Sequence, residues 1–161
     1  MKKILIIISC IVVSLFMFSC KDNSVEAPPP SQITQIEYWF DFQLGTFLVQ
    51  AQKDSIHFIE AARQFDPKPV RDTIITDTTV YREGYLASIL SLIDLQEVWN
   101  IDDNSKYPDK KLTIKATVRS STPTLPDEEK IKVIKFDDKP SEIKSLLEKL
   151  YQDGQTFSKT K

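Results

Sequence analysis

The chain predicts an α+β fold: a mostly antiparallel sheet of about five or six strands with two helices packed on one face. Three observations carry this. Ile36 to Leu44 alternates apolar and polar residues without a break, the period of a half-buried strand. Lys111 to Arg119 repeats that alternation much further along. Ile143, Leu146, Leu147, Leu150 and Tyr151 instead fall at i, i+3, i+4, i+7 and i+8, the apolar stripe of an amphipathic helix.

In the first strand Ile36, Tyr38, Phe40, Phe42 and Leu44 point one way, and Glu37, Trp39, Asp41 and Gln43 the other. Gly45-Thr46 offers a turn, after which Phe47, Val49 and Ala51 continue as a second strand. Lys53-Asp54-Ser55 is the next turn, and Ile56 to Phe65 the third strand. Asp66-Pro67-Lys68-Pro69 interrupts the sheet, since proline has no N–H for the ladder. Asp72 to Tyr81, rich in Thr, Ile and Val, reads as a short edge strand or a β-rich loop that Gly84 ends.

Leu86 to Trp99 presents a broad apolar face and reads as one helix. Asp102-Asp103-Asn104-Ser105 with Pro108 forms a loop. The strand at Lys111–Arg119 turns Leu112, Ile114, Ala116 and Val118 inward. Ser120 to Glu129, with Pro123 and Pro126, is a long hairpin tip, and Lys130 to Phe136 returns. Pro140 suits the first turn of the last helix. Asp137-Asp138 flanks that helix start, where the macrodipole favours acids. Asp153-Gly154 closes it, glycine supplying a left-handed cap. The polar tail beyond should fray.

A leader precedes the domain. Lys2 and Lys3 are followed by the apolar run Ile4 to Phe18, the form of a secretory signal, whose apolar core is about 7–15 residues. A membrane-spanning helix needs about 20. The residues Met17-Phe18-Ser19-Cys20 resemble a bacterial lipobox. The resemblance implies cleavage before Cys20, a diacylglycerol thioether on its sulfur and an acylated amine, so the membrane is held through acyl chains on Cys20. Multiple chains anchor stably where one is marginal. Lys21 in place of an aspartate is similar to lipoproteins addressed to the outer membrane. Lys21-Asp22-Asn23-Ser24-Val25-Glu26 resembles the acidic export tag of Bacteroidota surface lipoproteins, with one acid, Asp22, in place. The expected organisation is 1–19 signal peptide, 20–32 lipidated cysteine and Pro-rich tether, 33–154 domain and 155–161 disordered tail. Ala27-Pro28-Pro29-Pro30-Ser31 makes the tether extended and semi-rigid.

Composition narrows the function classes. Without the leader, 142 residues carry 19 basic and 23 acidic side chains, which argues against a nucleic-acid partner. Cys20 is then the only cysteine, so a disulfide, a cysteine nucleophile and a thiolate-bound metal are not expected. Gly45, Gly84 and Gly154 are the only glycines and lie far apart, so no phosphate-cradling loop can form. His57 is the single histidine; paired with Ser55 or Ser88 it would be a general base, and otherwise it lies on the outer face of its strand. Asp102, Asp103, Asn104 and Asp109 suggest a calcium loop, but Tyr107 and Thr113 stand where an EF-hand needs glycine and glutamate. Neither a metal nor another cofactor is expected.

Trp39, flanked by Glu37 and Asp41, stands on the polar face of the first strand. An exposed tryptophan there is a docking point for a protein or a sugar ring; the alternative is cover by the Asp66–Gly84 segment. The expected function is a non-enzymatic binding or structural module, anchored in the outer membrane, with a protein or glycan partner. The order of meander, helix, hairpin and helix also resembles small inhibitor domains of the emfourin type, which would imply protease inhibition. A small hydrolase working through carboxylates alone is the rival class.

Overall fold

A computed structural model describes residues 25–66, 68–102, 109–120, 122 and 124–158. The leader, Cys20 and its lipobox, and the Asp103–Pro108 part of the acidic loop lie outside the described residues. Among the described residues no helix is long and apolar enough to cross a membrane.

Six strands form one antiparallel sheet: β1 (Ile33–Phe42), β2 (Gly45–Gln52), β3 (Ser55–Asp66), β4 (Lys68–Tyr81), β5 (Lys110–Val118) and β6 (Glu128–Phe136). Their spatial order is β4-β3-β2-β1-β5-β6. Three helices follow the same chain: α1 (Tyr85–Leu90), α2 (Leu95–Trp99) and α3 (Lys144–Ser158). The α+β reading holds, with all three helices contributing to one core. Ile36, Ala51, Ile56, Leu112 and Ile114 from the sheet meet Ile89, Val98, Leu146, Leu147 and Leu150 from the helices.

The first hairpin turns two residues earlier than the sequence suggests. Gln43 and Leu44 make the turn, and Leu44 is 67% exposed rather than inward. Gly45 begins β2, facing Phe42 on one side and Ala62 on the other. A methyl group on Gly45 would collide with the Ala61 carbonyl oxygen. Close approach of neighbouring backbone therefore requires the glycine there, not a turn.

The segment expected to be a short edge strand is 14 residues long and pairs along the whole of β3. It lies at the sheet edge, two strands removed from β1, so it does not cover Trp39. The register slips between Glu60 and Ala61, where Ile75 of β4 has no opposite residue. Such bulges bend a strand and re-aim neighbouring side chains.

The single helix expected over Leu86–Trp99 is two. Asp94 adopts an extended backbone and its Oδ1 accepts from the amides of Gln96 (2.8 Å) and Glu97 (3.2 Å). That cap starts α2 anew. Gly84, at φ 65°, stands at the start of α1.

α3 does not stop at Gly154. It runs to Ser158, four residues into the expected tail, and Gly154 is buried in its interior. The glycine sits against the sheet: an added Cβ would lie 2.8 Å from Phe58 Cδ2 and 3.0 Å from Val49 Cγ2. Packing contact, rather than a left-handed cap, is what this position uses.

The expected tether is also partly seated. The Ala27 amide donates to Gln96 Oε1 (3.1 Å), Pro28 is buried, and Pro30–Gln32 forms a 3₁₀ turn leading into β1.

Candidate functional site

The helix-facing side of the sheet is closed at one end and open at the other. One row of paired residues crosses it as Phe136, Lys110, Phe40, Phe47, Glu60 and Thr76. Where α3 leaves this row partly uncovered, a cleft of about 290 Å³ opens. Phe40, Phe42, Phe47 and Phe58 form its floor and walls, and Tyr151 and Gln155 of α3 its rim. Phe47 is the hub: its ring centroid lies 4.9 Å from Phe58 in an edge-on pair and 5.0 Å from Tyr151. Phe40 and Phe42 approach at 5.7 Å. Gln155 Nε2 donates to Tyr151 Oη (2.7 Å), which fixes the rim. The volume stands at the lower bound of small-molecule sites.

Glu60 also lines the cleft. On β3 the inward positions read Ile56, Phe58, Glu60, so a carboxylate stands where the strand pattern calls for an apolar residue. It is half-buried. Among the described residues no cation or hydrogen-bond donor reaches it. The β4 bulge falls directly beside it. Two larger hollows lie elsewhere, one around Glu97, Ile101 and Glu142, the other around Val25, Trp99 and Lys132. Neither gathers several rings about a polar group.

Two other charged clusters among the described residues are matched internally. Asp153 is buried and accepts from Tyr85 Oη (2.9 Å) and Lys149 Nζ (2.6 Å). Burial, and then the neighbouring Asp153, push the Tyr85 phenol far above its ordinary value. Burial likewise raises Tyr38 to about 12, with Tyr151 adding to it. Arg63 reaches Asp72 (3.0 Å) and Asp41 (2.6 Å), which hold it charged. These clusters tie α3 to α1 and clamp the end of the β1–β3 meander.

Of the residues singled out from sequence, Glu37, Trp39, Asp41 and His57 share the opposite, helix-free face, and Ser88 lies in α1. Trp39 is half-buried there, with Lys111 Nζ 5.8 Å from its ring centroid. Glu37 accepts from Gln50 Nε2 (3.4 Å), and Asp41 is held by Arg63. His57 Nε2 lies 2.7 Å from Asp77 Oδ1, and Ser88 Oγ is engaged with the Tyr85 carbonyl. Among the described residues no group of three or more His, Cys, Asp or Glu could hold a metal ion.

Sequence reasoning assigned Phe40, Phe42 and Phe47 to the core and passed over Glu60. The available signal was the acid at an inward position of a strand. Comparison with protein-family models, curated proteins and solved structures finds no match to this chain.

Proposed function

We propose that this protein is a non-catalytic binding module of the bacterial envelope, held in the outer membrane through acyl chains on Cys20, with the aromatic cleft as its binding site. The observation that carries this reading is the convergence of five rings on one half-open cleft beside an unmatched carboxylate. Rings supply apolar area and the polar group supplies orientation, the usual division of labour in a binding site. The cleft holds one carboxylate, whereas glycoside hydrolysis uses two.

Photo-crosslinking in cells expressing the acylated protein tests the reading. A crosslinking residue at Gln155 should give one dominant adduct, protein or glycan, that Tyr151→Ala abolishes. An adduct obtained only from the same probe at Glu37 would move the site to the Trp39 face. Loss of acyl labelling and of membrane association in Cys20→Ala tests the anchor separately.

A further inference from the structure

We infer that the cleft takes an organic cation: an ammonium or guanidinium group on an apolar stem. The inference rests on the cleft being the binding site and adds the chemistry of what enters it.

Three features point the same way. The walls are aromatic, and ring faces carry the negative lobe of a quadrupole that attracts cations and accepts apolar groups alike. Such a surface has no preference for an anion. Second, Glu60 brings a formal negative charge to the wall, half-buried and without a cation among the described residues. A carboxylate partly removed from water is costly unless it is paired. A ligand cation would supply the missing partner. Third, Phe40 already carries a cation contact: Lys110 Nζ lies 5.3 Å from its ring centroid, held by the Asp137 carbonyl (2.6 Å).

Lys110 does not itself pair with Glu60: its Nζ donates to the Asp137 carbonyl (2.6 Å) and lies 3.7 Å from Asp109 Oδ2. Along the paired row the two backbones are separated by β1 and β2, three strand spacings or about 14 Å. The open part of the cleft is therefore bounded by Glu60 on the β3 side, with rings between it and the lysine. A stem of a few methylenes would lie on the accessible rings of Phe40, Phe42 and Tyr151, above the buried Phe47 and Phe58, while its charged end reaches Glu60. Such a group is supplied either by a free amine or by a lysine or arginine side chain of a partner polypeptide.

The test titrates the purified full chain, in detergent where acylated, with pentylammonium and with 1-pentanol, which differ in charge but little in shape. Chemical shifts of the cleft aromatic rings report binding. Pentylammonium should bind about tenfold or more tighter than pentanol, and Glu60→Gln should bring the two within about twofold. An unchanged spectrum away from the cleft establishes that Glu60→Gln is folded. Equal binding of both probes, insensitive to Glu60→Gln, overturns the inference and leaves the cleft as an apolar site. Absence of binding by either probe overturns the inference and the choice of cleft together. A third arm, a short peptide with a central lysine, separates the sources. Binding about tenfold tighter than pentylammonium assigns a polypeptide partner, and equal or weaker binding assigns a free amine.

Discussion

The two ends of the helix-facing side of the sheet are built differently from the same strands. At the closed end Ile36, Ala51, Ile56 and Ile114 pack on Ile89, Leu146 and Leu147, all essentially sealed from solvent. At the other end the same strands present Phe40, Phe42 and Glu60, each half-buried, and among the described residues Tyr151 and Gln155 of α3 line the cleft with them. Aliphatic side chains interdigitate to crystal-like density and leave no room for a ligand. Phe40 and Phe42, tilted against each other and half-buried, leave apolar area in reach of a ligand, and a carboxylate beside them resists closure. On the proposed function, stability and recognition fall at opposite ends of one surface.

Truncation separates the two ends most sharply. Leu147→Ala, at a site with no solvent exposure, should cost about 2–5 kcal/mol in denaturant unfolding. Phe42→Ala, at the half-exposed cleft, should cost clearly less while abolishing ligand-induced shifts. Equal costs would show that the cleft is merely core.

High pH weakens the sealed side next. Tyr38 and Tyr85 are neutral in the fold well above their ordinary value. A raised folded value contributes stability that is complete below pH 10, where the unfolded phenol titrates, and is lost as pH rises through the folded value. Above pH 10 the unfolded chain holds fewer protons than the native one, so stability should fall by up to about 1.4 kcal/mol per pH unit for each tyrosine. For Tyr38 the loss is confined to the window from pH 10 to about 12. Tyr85→Phe should flatten the slope of a pH–stability series; an unchanged slope would mean that Tyr85 plays no part in it.

At the boundary between the ends, Gly154→Ala gains about 1 kcal/mol of helix propensity but presses on Phe58 and Val49, both fully buried. Overpacking there costs about 1–3 kcal/mol, so thermal unfolding should occur at lower temperature. A rise in Tm would show that α3 can lift from the sheet. The smallest effect belongs to the helix-free face: Lys111→Met removes the cation over Trp39 and should cost about 0.5–1 kcal/mol in denaturant unfolding. A larger loss, or loss of the cellular adduct, would restore Trp39 to the binding surface.

Much of the closed end was legible in the sequence, because aliphatic periodicity reports burial directly. Leu112, Ile114, Ala116, Ile143, Leu146, Leu147 and Leu150 are all buried where the alternation and the helical stripe place them. The errors share a cause. Gly45 and Gly154 were read as turn and cap signals, yet both answer to a neighbour brought close only by tertiary packing. Asp94 was the exception: Asp94-Leu95-Gln96-Glu97 carries a capping pattern that a reading dominated by the apolar face overlooks. The cleft was illegible for another reason. Inward-facing phenylalanines look the same in sequence whether a helix covers them or stops short, and only Glu60 broke the pattern.

The seating of Ala27 and Pro28 on the domain sets a height. A chain fixed in a bilayer at Cys20 would have seven residue steps before Ala27, and a fully extended chain covers at most about 25 Å in that many. The domain would ride close over the lipid headgroups like a moored float, sweeping a shallow disc of membrane surface. Its neighbours would meet it from the side far more often than from above.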